Sequence, residues 1–261
     1  MLRKFGSNQQ KNRIMTKPLI KVQKKEFAPI ENNNSRRHFL KMGSLAVVGS
    51  GLLLACSSDD DFAGPINPGE LFDLGSGDVG ILNYAYALEQ LEAAYYTAVL
   101  NGSYWMNGAS AVEKKMLEDF YNHEVIHREF FKAAITANAQ PNQVLPELEF
   151  DFSGVNFGNR DSVLSTAIVL EDTGVSAYNG AGKLLANPDF LVIAGKIVSV
   201  EARHAAAVRS IYLESDTAFA ADDITDSNGL DLVRTPNEVI AAVGATGFIK
   251  TQFTANNLPT G

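Results

Sequence analysis

The sequence predicts an all-α protein: a four-helix bundle with one long crossover between helices 2 and 3, followed by a short C-terminal helical segment. Three observations carry this. Four stretches, at about Ile81–Leu100, Val112–Ala137, Asp161–Leu185 and Pro188–Leu213, place apolar residues at the +3/+4 alternation of one helix face. Each face is interrupted at mid-length by acidic side chains, and two interruptions are Glu-x-x-His pairs, Glu124/His127 and Glu201/His204. The connections are short except between the second and third stretches, where Asn138–Arg160 is long enough, at about 3.3 Å per extended residue, to run the length of a bundle.

Before the first helix lies a segment of different character. Residues 1–56 carry 11 Lys/Arg against Glu26 and Glu31, a net of +9; the rest carries 11 Lys/Arg against 28 Asp/Glu, a net of −17, and the two sum to the chain's −8. A body this acidic argues against nucleic acid as a partner, because neutralising phosphates requires a basic face. It argues equally against electrostatic docking on anionic lipid. The basic charge is confined to what reads as a targeting segment.

Within that segment, Ser35-Arg36-Arg37-His38-Phe39-Leu40-Lys41 resembles a twin-arginine export signal, with Arg36 and Arg37 as its pair. The uncharged stretch Met42–Ser58 is short for a membrane span and fits a signal h-region. Leu53-Leu54-Ala55-Cys56 resembles a lipobox, which implies cleavage before Cys56, its lipidation, and a stable anchor through several acyl chains. The other reading of Cys56 is a small buried core residue; its place directly after an h-region favours the lipid site. Because Cys56 is the one cysteine of the 261 residues, an intrachain disulfide, zinc ribbon or Cys-ligated cluster is excluded. The following Ser57-Ser58-Asp59-Asp60-Asp61 resembles the surface-export signal of some bacterial lipoproteins, or is simply a solvated acidic tether. The expectation is therefore a signal over 1–56, an acidic flexible tether over 57–77, and an exported protein that uses the twin-arginine machinery. It would be lipid-anchored to a bacterial membrane and would face the periplasm or the cell surface.

The four helical faces follow. The first reads Leu82, Ala85, Glu89, Glu92, Tyr96, Val99; the second Leu117, Phe120, Glu124, His127, Phe131, Ala134. The third reads Leu164, Ile168, Glu171, Val175, Tyr178; the fourth Ala194, Ile197, Glu201, His204, Val208, Ile211. An ionised carboxylate buried without a partner costs several kcal/mol and would normally neutralise instead. Four helices that each hold one at mid-core are explained together by a shared cation. Positions i and i+3 face the same side of a helix, so each Glu-x-x-His can bind metal as a unit. The expected metal ligands are thus Glu89, Glu124, His127, Glu171, Glu201 and His204. They would hold two transition-metal ions, iron first and manganese second, with four carboxylates balancing the charge and two neutral imidazoles completing the set.

Other residues on these faces have weaker claims. Glu92 shares the face of Glu89 and is a possible additional ligand, although Gly174 and Val175 give it no counterpart in the third helix. Tyr96 and Tyr178 are core filler, electron relays or, as favoured here, hydrogen-bond partners of the ligands. Asp172 could orient a ligating histidine from across the bundle. His123 points about 100° away from Glu124 and reads as a surface or otherwise satisfied histidine. Trp105, in the first interhelical connection, reads as packing.

The two halves repeat. Glu-x6-Tyr followed by Glu-x-x-His occurs twice, as a pseudo-twofold bundle requires. Ala87-Leu88-Glu89-Gln90-Leu91-Glu92-Ala93-Ala94-Tyr95-Tyr96 resembles the first helix of the ferritin-like domain of desiccation-related proteins and their bacterial relatives, and the resemblance covers residues 78–214. It implies a ferritin-like fold and a dinuclear iron or manganese centre, redox-active towards dioxygen, peroxide or ferrous iron. It leaves open a non-catalytic, stress-associated surface lipoprotein whose metal is structural or absent. An iron-storing cage is disfavoured, since every subunit would carry a lipid anchor near its first helix; a smaller oligomer stays open. In the C-terminal extension, 215–261, Thr235-Pro236-Asn237-Glu238 reads as a capping box opening one short helix.

Overall fold

The computed structural model describes residues 71–260. Arg36, Arg37, Cys56 and most of the tether lie outside the described residues. The described chain runs β1 (Phe72–Asp73), α1 (Gly77–Leu100), α2 (Ala111–Asn138), α3 (Arg160–Ala181), α4 (Pro188–Tyr212), α5 (Pro236–Thr246) and β2 (Phe253–Thr254). Helices α1–α4 form the expected bundle, packed as the pairs α1/α2 and α3/α4. Among the described residues no helix is long and apolar enough to cross a membrane.

Helix α1 is buried around most of its circumference, as expected of a helix apolar on every side. It starts ahead of Ile81 because Asp78 suits a first turn; the Asp78 carboxylate also accepts from Ala186 N at 2.7 Å and Asn187 N at 2.9 Å, tying α1 to the α3–α4 turn. Helix α2 opens on a capping box: Ser110 Oγ accepts from Glu113 N at 3.2 Å and Glu113 Oε2 from Ser110 N at 2.8 Å. The other oxygen of Glu113 accepts from Arg160 Nε at 2.7 Å, and Arg160 also donates to Ile211 O at 3.0 Å. One ion pair therefore joins the starts of α2 and α3 to the end of α4.

Helix α3 ends at Ala181, short of the expected Leu185, and passes into a 3-10 turn, Gly182–Leu184. Gly180 and Gly182 weaken the helix there, and Pro188 disfavours helical geometry just before it. Asn187 then caps α4 with Pro188 in its first turn.

The crossover is held against α1 by two buried amides. Asn83 donates to Gln143 O at 2.8 Å and accepts from Leu145 N at 3.0 Å; Gln90 donates to Pro146 O at 3.2 Å and accepts from Leu148 N at 2.9 Å. Each amide satisfies backbone groups that an irregular segment would otherwise bury unpaired.

After α4 the chain crosses the outer face of α3 and α4. Arg209, buried, fastens this excursion by donating to Ala218 O and to the Asp223 carboxylate. Its far end closes onto Gly180, where a Cβ would stand 1.7 Å from Arg234 O. Only glycine fits. The Thr235–Glu238 capping box opens α5 as expected. The end of the segment expected to be a flexible tether belongs to the folded body: β1 pairs in parallel with β2, and Asp73 accepts from Thr254 Oγ1 at 2.7 Å. Leu74, fully buried, seals the contact.

Candidate metal centre

Glu89 and Glu92 of α1, Glu124 and His127 of α2, Glu171 of α3, and Glu201 and His204 of α4 meet at mid-bundle. Glu89, Glu124, Glu171 and Glu201 are 0% exposed, Glu92 and His204 3%, and His127 8%. Ligand atoms fall into two overlapping groups, Glu89/Glu124/His127/Glu201 and Glu124/Glu171/Glu201/His204, each gathered within 4.8 Å. Glu124 and Glu201 belong to both. Glu124 turns Oε2 to His127 Nδ1 at 3.2 Å and Oε1 to His204 Nδ1 at 2.8 Å. Glu201 turns Oε1 to His127 Nδ1 at 2.9 Å and Oε2 to His204 Nδ1 at 3.8 Å. Glu89 Oε2 and Glu171 Oε2 each stand 3.4 Å from the Nδ1 of their own histidine. Two shared carboxylates thus lie between two positions, each closed by one Glu and one imidazole.

These atoms fit a pair of cations. Glu89 Oε2, Glu124 Oε1, Glu171 Oε2, both oxygens of Glu201 and His204 Nδ1 are buried without a hydrogen-bond partner. His204 Nδ1 and Glu124 Oε1 are within reach of each other yet not in hydrogen-bond geometry, as donors grouped around a common cation are. So many orphaned acceptors in one place need a positive charge.

The protein atoms alone hold that charge as protons. Burial raises Glu89 to about 7 against the pull of His127, and raises Glu171, Glu201 and Glu92 as well. Burial would lower His204, but Glu171 and Glu124 outweigh it and push the imidazole up to about 11. Burial likewise opposes ionisation of Glu124, but the His127 and His204 imidazoles beside it bring it down to about 2. Cations entering here must displace protons.

The two tyrosines work crosswise. Tyr96 of α1 donates to Glu171 Oε1 of α3 at 2.5 Å, and Tyr178 of α3 donates to Glu89 Oε1 of α1. Each occupies the oxygen that does not face the histidine and so aims the other one inward. Burial and the neighbouring carboxylates hold both phenols well above their ordinary range, so they remain donors.

Glu92 does have a counterpart in space: an absent side chain. Its Oε1 lies 3.0 Å from where a Cβ on Gly174 would be, and its Oε2 has no hydrogen-bond partner. Gly174 makes room for a fifth carboxylate.

Asp172 does not orient a histidine. It accepts from Arg209 Nη1 at 2.8 Å and serves the outer excursion. The residue that stands against a histidine is His123, expected to be a surface or otherwise satisfied histidine. It is exposed and also satisfied, for its Nδ1 lies 2.8 Å from His204 Nε2 with the rings 3° from parallel. The available signal was His-x-x-x-His, which places His123 and His127 on adjoining turns of one face. Trp105 packs as expected, half-buried, with Lys114 Nζ 5.6 Å from its ring.

A family model described as a ferritin-like domain matches residues 77–214. No curated protein matches the chain.

Proposed function

The chain belongs to the ferritin-like domain family, and from that membership we propose that it is a dinuclear metal protein with redox activity at the mid-bundle site. The observation that carries the reading is the sharing of Glu124 and Glu201 between two otherwise separate ligand groups. Glu89, Glu171, His127 and His204 complete the two positions. Oxygen-rich sites with one imidazole each suit iron or manganese. When bound, such a pair would supply two one-electron steps for reaction with dioxygen, peroxide or ferrous iron.

The chain's own residues prepare the site for this. Tyr96 and Tyr178 orient the terminal carboxylates, His123 orients His204, and Phe120 covers the His204 ring at 4.3 Å and keeps water from it. Glu92 Oε2, buried and unpaired, is a place where a proton can be held beside Glu201.

Location is part of the proposal. Arg36 and Arg37 support twin-arginine export and Cys56 supports a lipid anchor, placing the bundle at a bacterial membrane, facing periplasm or exterior. The likeness to desiccation-related proteins supports a role under stress. Replacing Cys56 with Ser is expected to release the protein from the membrane fraction, and a wild-type protein found free with its leader intact would refute the anchor.

Elemental analysis of natively exported protein, followed by stopped-flow absorbance of the ferrous-loaded chain mixed with peroxide or dioxygen, tests the activity. The expected result is about two ions per chain and oxidation by at least one of the two. Metal without reactivity towards either would put the structural-metal reading ahead; no metal after anaerobic loading would remove both.

A further inference from the structure

Along the bundle axis the two ends of the centre are built differently. Beyond His204 the core is filled: Phe120 lies against the imidazole, Tyr96 packs on Phe120 at 5.6 Å between ring centroids, and Leu164 and Val208 are fully buried. Beyond His127 there is a cavity of about 20 Å³. Its lining includes Ala85, one turn from Glu89, Phe131, one turn from His127, and Tyr178, whose hydroxyl holds Glu89. Its half-buried lining comes from Phe130 of α2, Ile193 and Ala194 of α4, and Gly182 and Leu185 of the α3–α4 turn.

Size and lining restrict what can enter. The volume is that of roughly one water molecule. The lining is apolar except for two phenols, of which Tyr178 is committed to Glu89 and Tyr84 alone has a free hydroxyl. A peroxide molecule would leave most of its donors and acceptors unpaired there, whereas an uncharged diatomic gas loses no hydrogen bonds on entry. Apolar-lined space of this kind favours an apolar gas over a polar molecule.

We propose that this chamber is a binding site for a small apolar gas, dioxygen, and delivers it to the Glu89–His127 end of the centre. The identity of the gas rests on the dinuclear reading above; the chamber does not. Ala194 lines the chamber, is half-buried and is not one of the ligands, so its enlargement would fill the space without removing a ligand.

Crystals of the full chain, prepared metal-free and pressurised with xenon, test the chamber independently of any metal. An anomalous peak among Ala85, Phe131 and Tyr178 is expected in wild type and its loss in Ala194→Phe. Absence of xenon there in wild type would overturn the proposal whatever the variant does. In ferrous-loaded protein, Ala194→Phe is expected to slow oxidation by dioxygen about tenfold or more while leaving oxidation by peroxide within about twofold. Equal slowing of both oxidants, or of neither, would overturn delivery through the chamber. If the chain takes up no iron, the dinuclear reading and delivery to it both fall, while the xenon result still decides the gas site.

Discussion

The half of the bundle formed by α1 and α2 and the half formed by α3 and α4 carry the same Glu, Tyr and Glu-x-x-His, yet their surroundings differ at two matched positions. His123 precedes Glu124 where Val200 precedes Glu201, and Glu92 follows Glu89 by three residues where Gly174 follows Glu171. His123 reaches across to His204 of the other half, while among the described residues no such bond is made to the far nitrogen of His127. Glu92 fills the space Gly174 leaves. The repeat therefore sets the candidate ligands, and these two departures make the two candidate metal positions unequal: the one at His204 is held from outside, while the one at His127 lies one turn from the cavity.

Removing a shared ligand should have the largest effect, because it acts on both halves. Glu201 offers one oxygen to each position, so Glu201→Ala is expected to reduce loaded metal from about two ions per chain to fewer than one. Glu171→Ala removes a ligand from the His204 position only and should leave about one ion bound. Elemental analysis after ferrous loading separates the two. Equal losses would mean that the positions do not share carboxylates.

The inequality itself rests on His123. In a titration with cobalt(II), His123→Ala should weaken one of two binding steps by roughly 10–100-fold and leave the other nearly unchanged. His123→Asn keeps an acceptor close to the place of Nδ1 and should restore most of the lost affinity, which a merely steric role would not explain. Two steps weakened alike would show that His123 supports the bundle and not one position.

What joins the halves can be tested by acid. Burial opposes the ionisation of Glu113, but the Ser110 amide and Arg160 outweigh it and hold the carboxyl down at about 2. A folded value below the unfolded one adds stability that is complete above about 4.5 and is lost as pH falls towards 2. Glu113→Gln preserves the capping box and removes the charge. Its stability deficit against wild type should be about 1 kcal/mol near neutrality, modest because the Arg160 side chain is 34% exposed, and should shrink below pH about 4.5. Thermal unfolding across that range measures it, and a deficit independent of pH would exclude the ion pair as the source.

These contrasts also mark what could be read from sequence. Glu89, Glu124, His127, Glu171, Glu201, His204 and both tyrosines stand at helical spacing on apolar faces, so helix geometry alone brings them to mid-core. The Thr235–Glu238 cap is equally local. The role of His123 could not be read locally because its partner lies 81 residues away on another helix. Asp172 was misassigned for the same reason, since Arg209 reaches it from another helix. The docking of β1 depends on Thr254, 181 residues on, and no pattern within residues 57–77 could announce it. Local periodicity predicts what one helix presents; it does not predict which neighbour receives it.

The smallest expected effect asks whether the halves remain alike where the repeat is intact. Tyr96→Phe and Tyr178→Phe each delete one hydroxyl that donates to a terminal carboxylate in the opposite half. Neither removes a ligand, and each leaves one carboxylate oxygen buried without its donor, a loss of about 1–3 kcal/mol in the metal-free protein. The aromatic ring still fills its place, so the fold should persist. Because the two bonds are equivalent by the repeat, the two variants should lose similar thermal stability without metal. With metal, Tyr178→Phe should perturb the His127 position and Tyr96→Phe the His204 position, each by less than ligand removal. Unequal losses in the metal-free protein would show that the departures at His123 and Glu92 extend beyond the metal positions into the packing of the halves themselves.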